Sequence, residues 1–200
     1  DGWTWEDLTL KSGFGLIVNW PTMVYTPSPR SRVTKEDWLK QRDNQLRMID
    51  EAFADARAYM TAKNAEKQKG IRYHETDPRW QAMIPVLEGT IPVFVSANEL
   101  SQIQAAITWA EAEGVKLVIV GGKDAWLVRG QLKAKNIPVI ITDVQSGPAR
   151  RWQGYDDVFA LPMRLHQAGV RFCITGDGDA SNSRNTAYQA ANAAAYGLPK

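Results

Sequence analysis

The sequence predicts an α/β protein built on a parallel sheet covered by helices, and three observations carry that expectation. Four short runs, at 91–95, 116–120, 138–141 and 170–174, are apolar on both alternating faces and rich in β-branched residues, as strands buried on two sides are. Stretches with apolar residues at helical spacing separate them. Polar residues then gather just after each run, where the carboxyl ends of parallel strands lie. Right-handed crossovers leave two architectures open, a closed barrel or an open doubly wound sheet.

Taken in order, the first 90 residues are irregular and aromatic. A short apolar run at 15–20, stopped by Pro21, is expected to add a further strand to the same sheet, and the Pro- and Ser-rich stretch at 25–31 is a loop. Thr34 is a helix N-cap, with the acidic Asp37 three residues on. Leu39, Leu46, Ile49, Phe53 and Met60 then recur at helical spacing, which predicts a long amphipathic helix over about 35–64. From 91 onward one theme repeats. The first run leads into a helix marked by Leu100, Ile103, Ile107 and Ala110 and ended by Gly114, and the second into a helix through Trp126, Val128 and Leu132. The third run leads, through a helix around Met163 and Leu165, to the fourth. An Ala-rich helix, 185–197, closes the pattern, with Gly197 and Pro199 as its stop.

Composition narrows the function classes. Two hundred residues can bury a proper core, and the hydrophobic fraction of 44% and charged fraction of 23% are those of an ordinary globular protein. With a net charge of +2 and basic residues interleaved with acidic ones, no face is suited to a nucleic-acid backbone. No run approaches the ~20 apolar residues of a membrane span. The single cysteine, Cys173, excludes an intramolecular disulfide, and its place in an apolar run predicts an inert buried thiol. The eight Trp are expected to pack around irregular loops, where large side chains bury much area.

The strand ends carry the candidate chemistry. Ser96 and Asn98 follow the first run, Gly121, Gly122, Lys123 and Asp124 the second, Thr142 and Asp143 the third, and Thr175, Asp177 and Asp179 the fourth. Ser96, Asn98, Lys123, Asp143 and Asp179 are the candidates for a rim that holds a small polar ligand. Asn98, Asp124 and Asp143 are also suited to helix N-caps, whereas Asp177 precedes a long polar loop rather than a helix. Several familiar motifs fail. Gly121-Gly122-Lys123 lacks the upstream glycine of a P-loop, no G-x-G-x-x-G opens a helix, and Tyr188 stands where a calcium loop beginning at Asp177 needs Glu. The two histidines, His74 and His166, have no metal-ligand spacing.

Three stretches resemble a known family. IPVFVSANELSQIQAAITWAEAEGVKLVIVGGKDAWLVRGQLKAKNIPVII (91–141) is similar to strands five to seven of imidazolonepropionase-like amidohydrolases. YDDVFALPMRLHQAGVRFCITGDGDASNSRNTAYQAANAAAYGLPK (155–200) resembles their run into strand eight and beyond, and residues 2–21 resemble a further segment. The resemblance implies a partial (β/α)8 barrel of the metal-dependent hydrolase kind, with residues 1–90 as its irregular first part and 91–200 as its regular β/α units, one incomplete domain overall. It implies hydrolysis of a cyclic amide-like C–N bond by zinc-activated water, with Asp177 as metal ligand and general base. The family's strand-five and strand-six histidines align with Ser96 and Gly121. Serine is a poor zinc ligand and glycine offers none, so no metal cofactor is expected in this chain and Asp177 is the one ligand position kept. Two functions follow: a hydrolase of the family's kind, or a non-catalytic relative that binds a ligand or assembles. The expected partner is the remainder of the barrel or a second copy of the chain.

Overall fold

The computed structural model of the chain describes residues 4–9, 11–27, 32–66, 70, 73–148, 150–176 and 180–199. After a short α1 (Trp5–Leu8) come β1 (Leu16–Asn19), α2 (Lys35–Ala65), α3 (Pro78–Leu87), β2 (Val93–Ala97) and α4 (Leu100–Glu113). Next are β3 (Leu117–Gly121), a 3-10 turn (Ala125–Val128) leading into α5 (Arg129–Ala134), and β4 (Val139–Ile141). Then follow α6 (Asp157–Gln167), β5 (Phe172–Ile174) and α7 (Thr186–Ala195), the last preceded by a 3-10 turn (Ala180–Asn185).

All five strands join one sheet in the order β1-β2-β3-β4-β5, and every neighbouring pair is parallel. A doubly wound sheet reverses its order at a switch point. This one runs in chain order without such a reversal, which excludes the doubly wound alternative, and its five strands are fewer than the eight that close a barrel.

The pleat sorts side chains between two unlike faces. Val93, Val95, Ala97, Leu117, Ile119, Val139 and Ile141 are buried in the core, which also takes in Phe53, Val86, Ile103, Leu132, Leu161 and Leu165 from the helices. The alternate residues Ile17, Phe94, Ser96, Val120, Ile140 and Cys173 point the other way and are half-buried or exposed. Cys173 is therefore not the buried thiol that its apolar run suggests. It is exposed on this open face, and partial desolvation against the sheet pushes its thiol pKa up, which makes it a weak nucleophile.

Between β1 and β2 lie two helices where the periodicity shows one. The long helix begins as expected: the Thr34 hydroxyl accepts from the Asp37 amide at 3.1 Å and donates to the Asp37 carboxylate at 2.8 Å. It packs through Phe53, whose ring meets Trp109 edge-on at 5.0 Å. Arg57 fastens it to the end of α4, pairing with the Glu113 carboxylate and donating to the Glu113 carbonyl at 2.6 Å. The second helix, α3, escapes a reading by periodicity because Pro85 interrupts it. Its start is conventional, with Pro78 in the first turn after Asp77, whose carboxylate accepts from the Arg79 amide at 2.9 Å.

Candidate functional site at the strand ends

The carboxyl ends of the strands are laced together by buried polar side chains. Gln102, on the first turn of α4, accepts from the amides of Asn98 and Glu99, each at 3.1 Å, and its amide nitrogen donates to the carbonyls of Trp20 and Pro21 at 3.3 and 3.2 Å. One side chain thus ties the exit of β1 to the exit of β2. Gln189 of α7 does the same further along, its side-chain oxygen accepting from the Val144 amide beyond β4 at 3.1 Å.

Asp124 is the third strut, and its carboxylate is 1% exposed. It accepts from the Leu100 amide at 2.9 Å, from Arg150 Nη1 at 2.6 Å and from the Gln153 side chain at 3.5 Å. The cap expected of Asp124 is therefore made, but to α4 of the neighbouring unit rather than to the turn that Asp124 itself opens. Arg150 also lies 3.7 Å from the Glu99 carboxylate and 5.4 Å over the Trp152 ring. The loop between β4 and α6 is in this way fastened across the exits of β2 and β3. Nothing in the sequence around Arg150 marks it for that task, because the contact joins positions 26 residues apart.

The expected rim residues fall into two groups. Lys123 and Asp143 come together at 3.6 Å, and Lys123 Nζ lies 3.1 Å from the Ser146 hydroxyl, an addition that the sequence does not single out. Asp143 also accepts from the Gln145 amide at 2.8 Å, closing an Asx-type turn rather than capping a helix. Ser96 stands on the open face of β2, beside Asn19 of β1 in the parallel register. Asn98 is exposed at the end of β3. Its side chain lies over Gly121, where φ is +96° and an added Cβ would meet Asn98 Oδ1 at 2.3 Å. Asp177 and Asp179 lie outside the described residues.

No protein-family profile and no curated protein matches this sequence. Among solved structures the chain is similar to the crystal structure of an amidohydrolase from Thermotoga maritima MSB8, with a TM-score of 0.76 and 24% identity. The fold is amidohydrolase-like. The match covers 98% of this chain and 50% of that one, so the chain spans about half the length of the protein it resembles.

Zinc is the cofactor that the family resemblance implies, and the ends of β2 and β3 do not fit it. Ser96 presents a neutral hydroxyl, and Gly121 has neither a side chain nor space for one while Asn98 lies above it. Among the described residues, no three His, Cys, Asp or Glu side chains group together as a zinc ion requires. The cations at this edge are already paired, Lys123 with Asp143 and Arg150 with Asp124. Such an arrangement can orient a small polar molecule through hydroxyls, amides and paired charges.

Proposed function

We propose that this chain is the larger part of an imidazolonepropionase-like (β/α)8 barrel that works as a ligand-binding or assembly module instead of a self-standing hydrolase. The observation that supports it is the donor set at the ends of β2 and β3, where Ser96 presents a neutral hydroxyl and Gly121 presents no side chain. The ligand is a small polar molecule held near Ser96, Lys123 and Asp143, with Asp177 and Asp179 as further candidates. Without a metal, bound water keeps its high pKa, and a lone carboxylate base contributes only about 10²–10⁴-fold, far short of what amide hydrolysis requires. The remainder of the barrel comes from polypeptide beyond these 200 residues.

The likeness to an amidohydrolase favours a second reading, hydrolysis of a cyclic amide-like C–N bond with metal-activated water. In that case further ligands come from the other half of the barrel and Asp177 joins them. Calorimetric titration of the chelator-washed polypeptide that includes the rest of the barrel, with zinc chloride, separates the two. The module reading expects no stoichiometric uptake and no turnover of a panel of five- and six-membered cyclic amides. One zinc per chain, retained through the chelator and lost in Asp177→Ala, would overturn it.

A further inference from the structure

The amino ends of the strands carry a cavity that the rim at the carboxyl ends does not explain. Its volume is about 720 Å³, inside the range of roughly 300–1,000 Å³ that small-molecule sites occupy. The cavity curls under β3 and β4. Ile107, Leu117 and Ile137 wall it on the helix-covered side, and Val118 and Pro138 on the open side. The backbone beneath it is held by the sheet. The carbonyls of Lys116, Pro138 and Arg171 accept from the amides of Val93, Ile119 and Val139 at 2.8, 3.0 and 3.0 Å. β3, five residues long, keeps this end about 16 Å from the carboxyl-end rim.

The charges around the cavity do not balance. Three cations line it, Lys116, Lys135 and Arg171, against one carboxylate, Glu111. Lys135 is paired with Glu111. Lys116 and Arg171 have no ion pair and no side-chain hydrogen bond among the described residues, whereas Arg57, Lys123 and Arg150 are all taken up by carboxylates. Continuing the strand register one residue toward the amino end sets Arg171 beside Pro138 and Val118, and Lys116 beside Pro92. The pleat then places both cations on the open face of the sheet. Two free positive charges over an apolar hollow match a ligand with an anionic head and an apolar body. We propose that this cavity binds a small organic anion, a carboxylate or a phosphate monoester. Arg171 holds the head group through its guanidinium fork, Lys116 adds a second positive charge, and the apolar body lies against Ile107, Leu117 and Ile137. No residue is shared with Ser96, Lys123 and Asp143, so the proposal does not depend on what the carboxyl-end rim binds.

The test titrates the full-length polypeptide that carries these 200 residues with benzoate, phenyl phosphate and benzyl alcohol, by calorimetry in dilute buffer. At least one of the two anions should bind saturably with a Kd under about 1 mM, and the tighter of them names the head group. Arg171→Gln and Lys116→Gln should each weaken that binding about tenfold. Both variants should keep the parent's melting temperature, since both side chains are exposed. Lys40→Gln, which removes an exposed cation from α2, should leave the affinity unchanged. Four results overturn the proposal: no saturable binding of either anion, binding indifferent to either cavity substitution, equal weakening by Lys40→Gln, or benzyl alcohol bound as tightly as the anions.

Discussion

Replacing Asp124 with alanine should lower the unfolding free energy by about 3 kcal/mol, toward the lower end of what breaking a buried ion pair costs, because Arg150 is partly exposed and can rehydrate. The larger share comes from the Leu100 amide, which loses its acceptor at the start of α4. In a chain of this size the melting temperature should fall by roughly 6–12 °C. Asp124→Asn keeps an oxygen for the Leu100 amide and should cost about half as much. Arg150→Ala leaves the carboxylate buried with only the Leu100 amide and a distant Gln153, so it should cost as much as removing the acid. Urea titration of the three variants and the Asp124→Ala/Arg150→Ala pair checks this. If Asp124→Ala costs under 1 kcal/mol, the strut does not hold the strand ends together.

The second large effect is expected at Gly121. Alanine there meets two penalties, a φ of +96° that L residues rarely adopt and an approach of 2.3 Å to Asn98 Oδ1. Together they should cost about 2–3 kcal/mol, most of it backbone strain, because the tip of the exposed Asn98 side chain can swing aside. Gly114 provides the control: its φ is +68° but a Cβ there would meet nothing within 4 Å, so Gly114→Ala should show backbone strain alone, about 1–2 kcal/mol. Adding Asn98→Ala to Gly121→Ala removes the steric part and should restore less than about 1 kcal/mol. A double variant restored by more than about 2 kcal/mol would show instead that Asn98 is held rigidly over Gly121.

Sequence patterning made the sheet legible. The four apolar runs, the extra strand at 15–20 and the long helix all fall within a few residues of where periodicity places them, because each is fixed by local spacing and by its own caps. The pattern also left barrel and doubly wound sheet open, since run and helix alternate in both. Only the pairing order rules out the doubly wound sheet, and pairing is a long-range property. The site was legible in part. Lys123 and Asp143 meet because strand ends bring them to one edge. The lacing by Gln102, Asp124, Gln189 and Arg150 was not legible: a buried glutamine on a helix face has the same local signature as a solvated one. Asn98 read as a cap for the same reason, yet Glu99 occupies the N-cap position of α4.

The order of strands in the sheet has a consequence for how the molecule is made. Every strand pairs only with the strand before or after it in the chain, so each pairing can form as soon as its second strand has been made. β1 and β2 can join once the residues up to Ala97 have emerged, and each later β/α unit then adds to an edge that already exists. The longest wait falls at the beginning, because α2 and α3 must fold between the first two strands and the loop they span is the costliest to close. Substitutions along α2 and α3 should therefore slow the first pairing step, whereas those in the α6–β5 unit should change only how firmly the last strand is held.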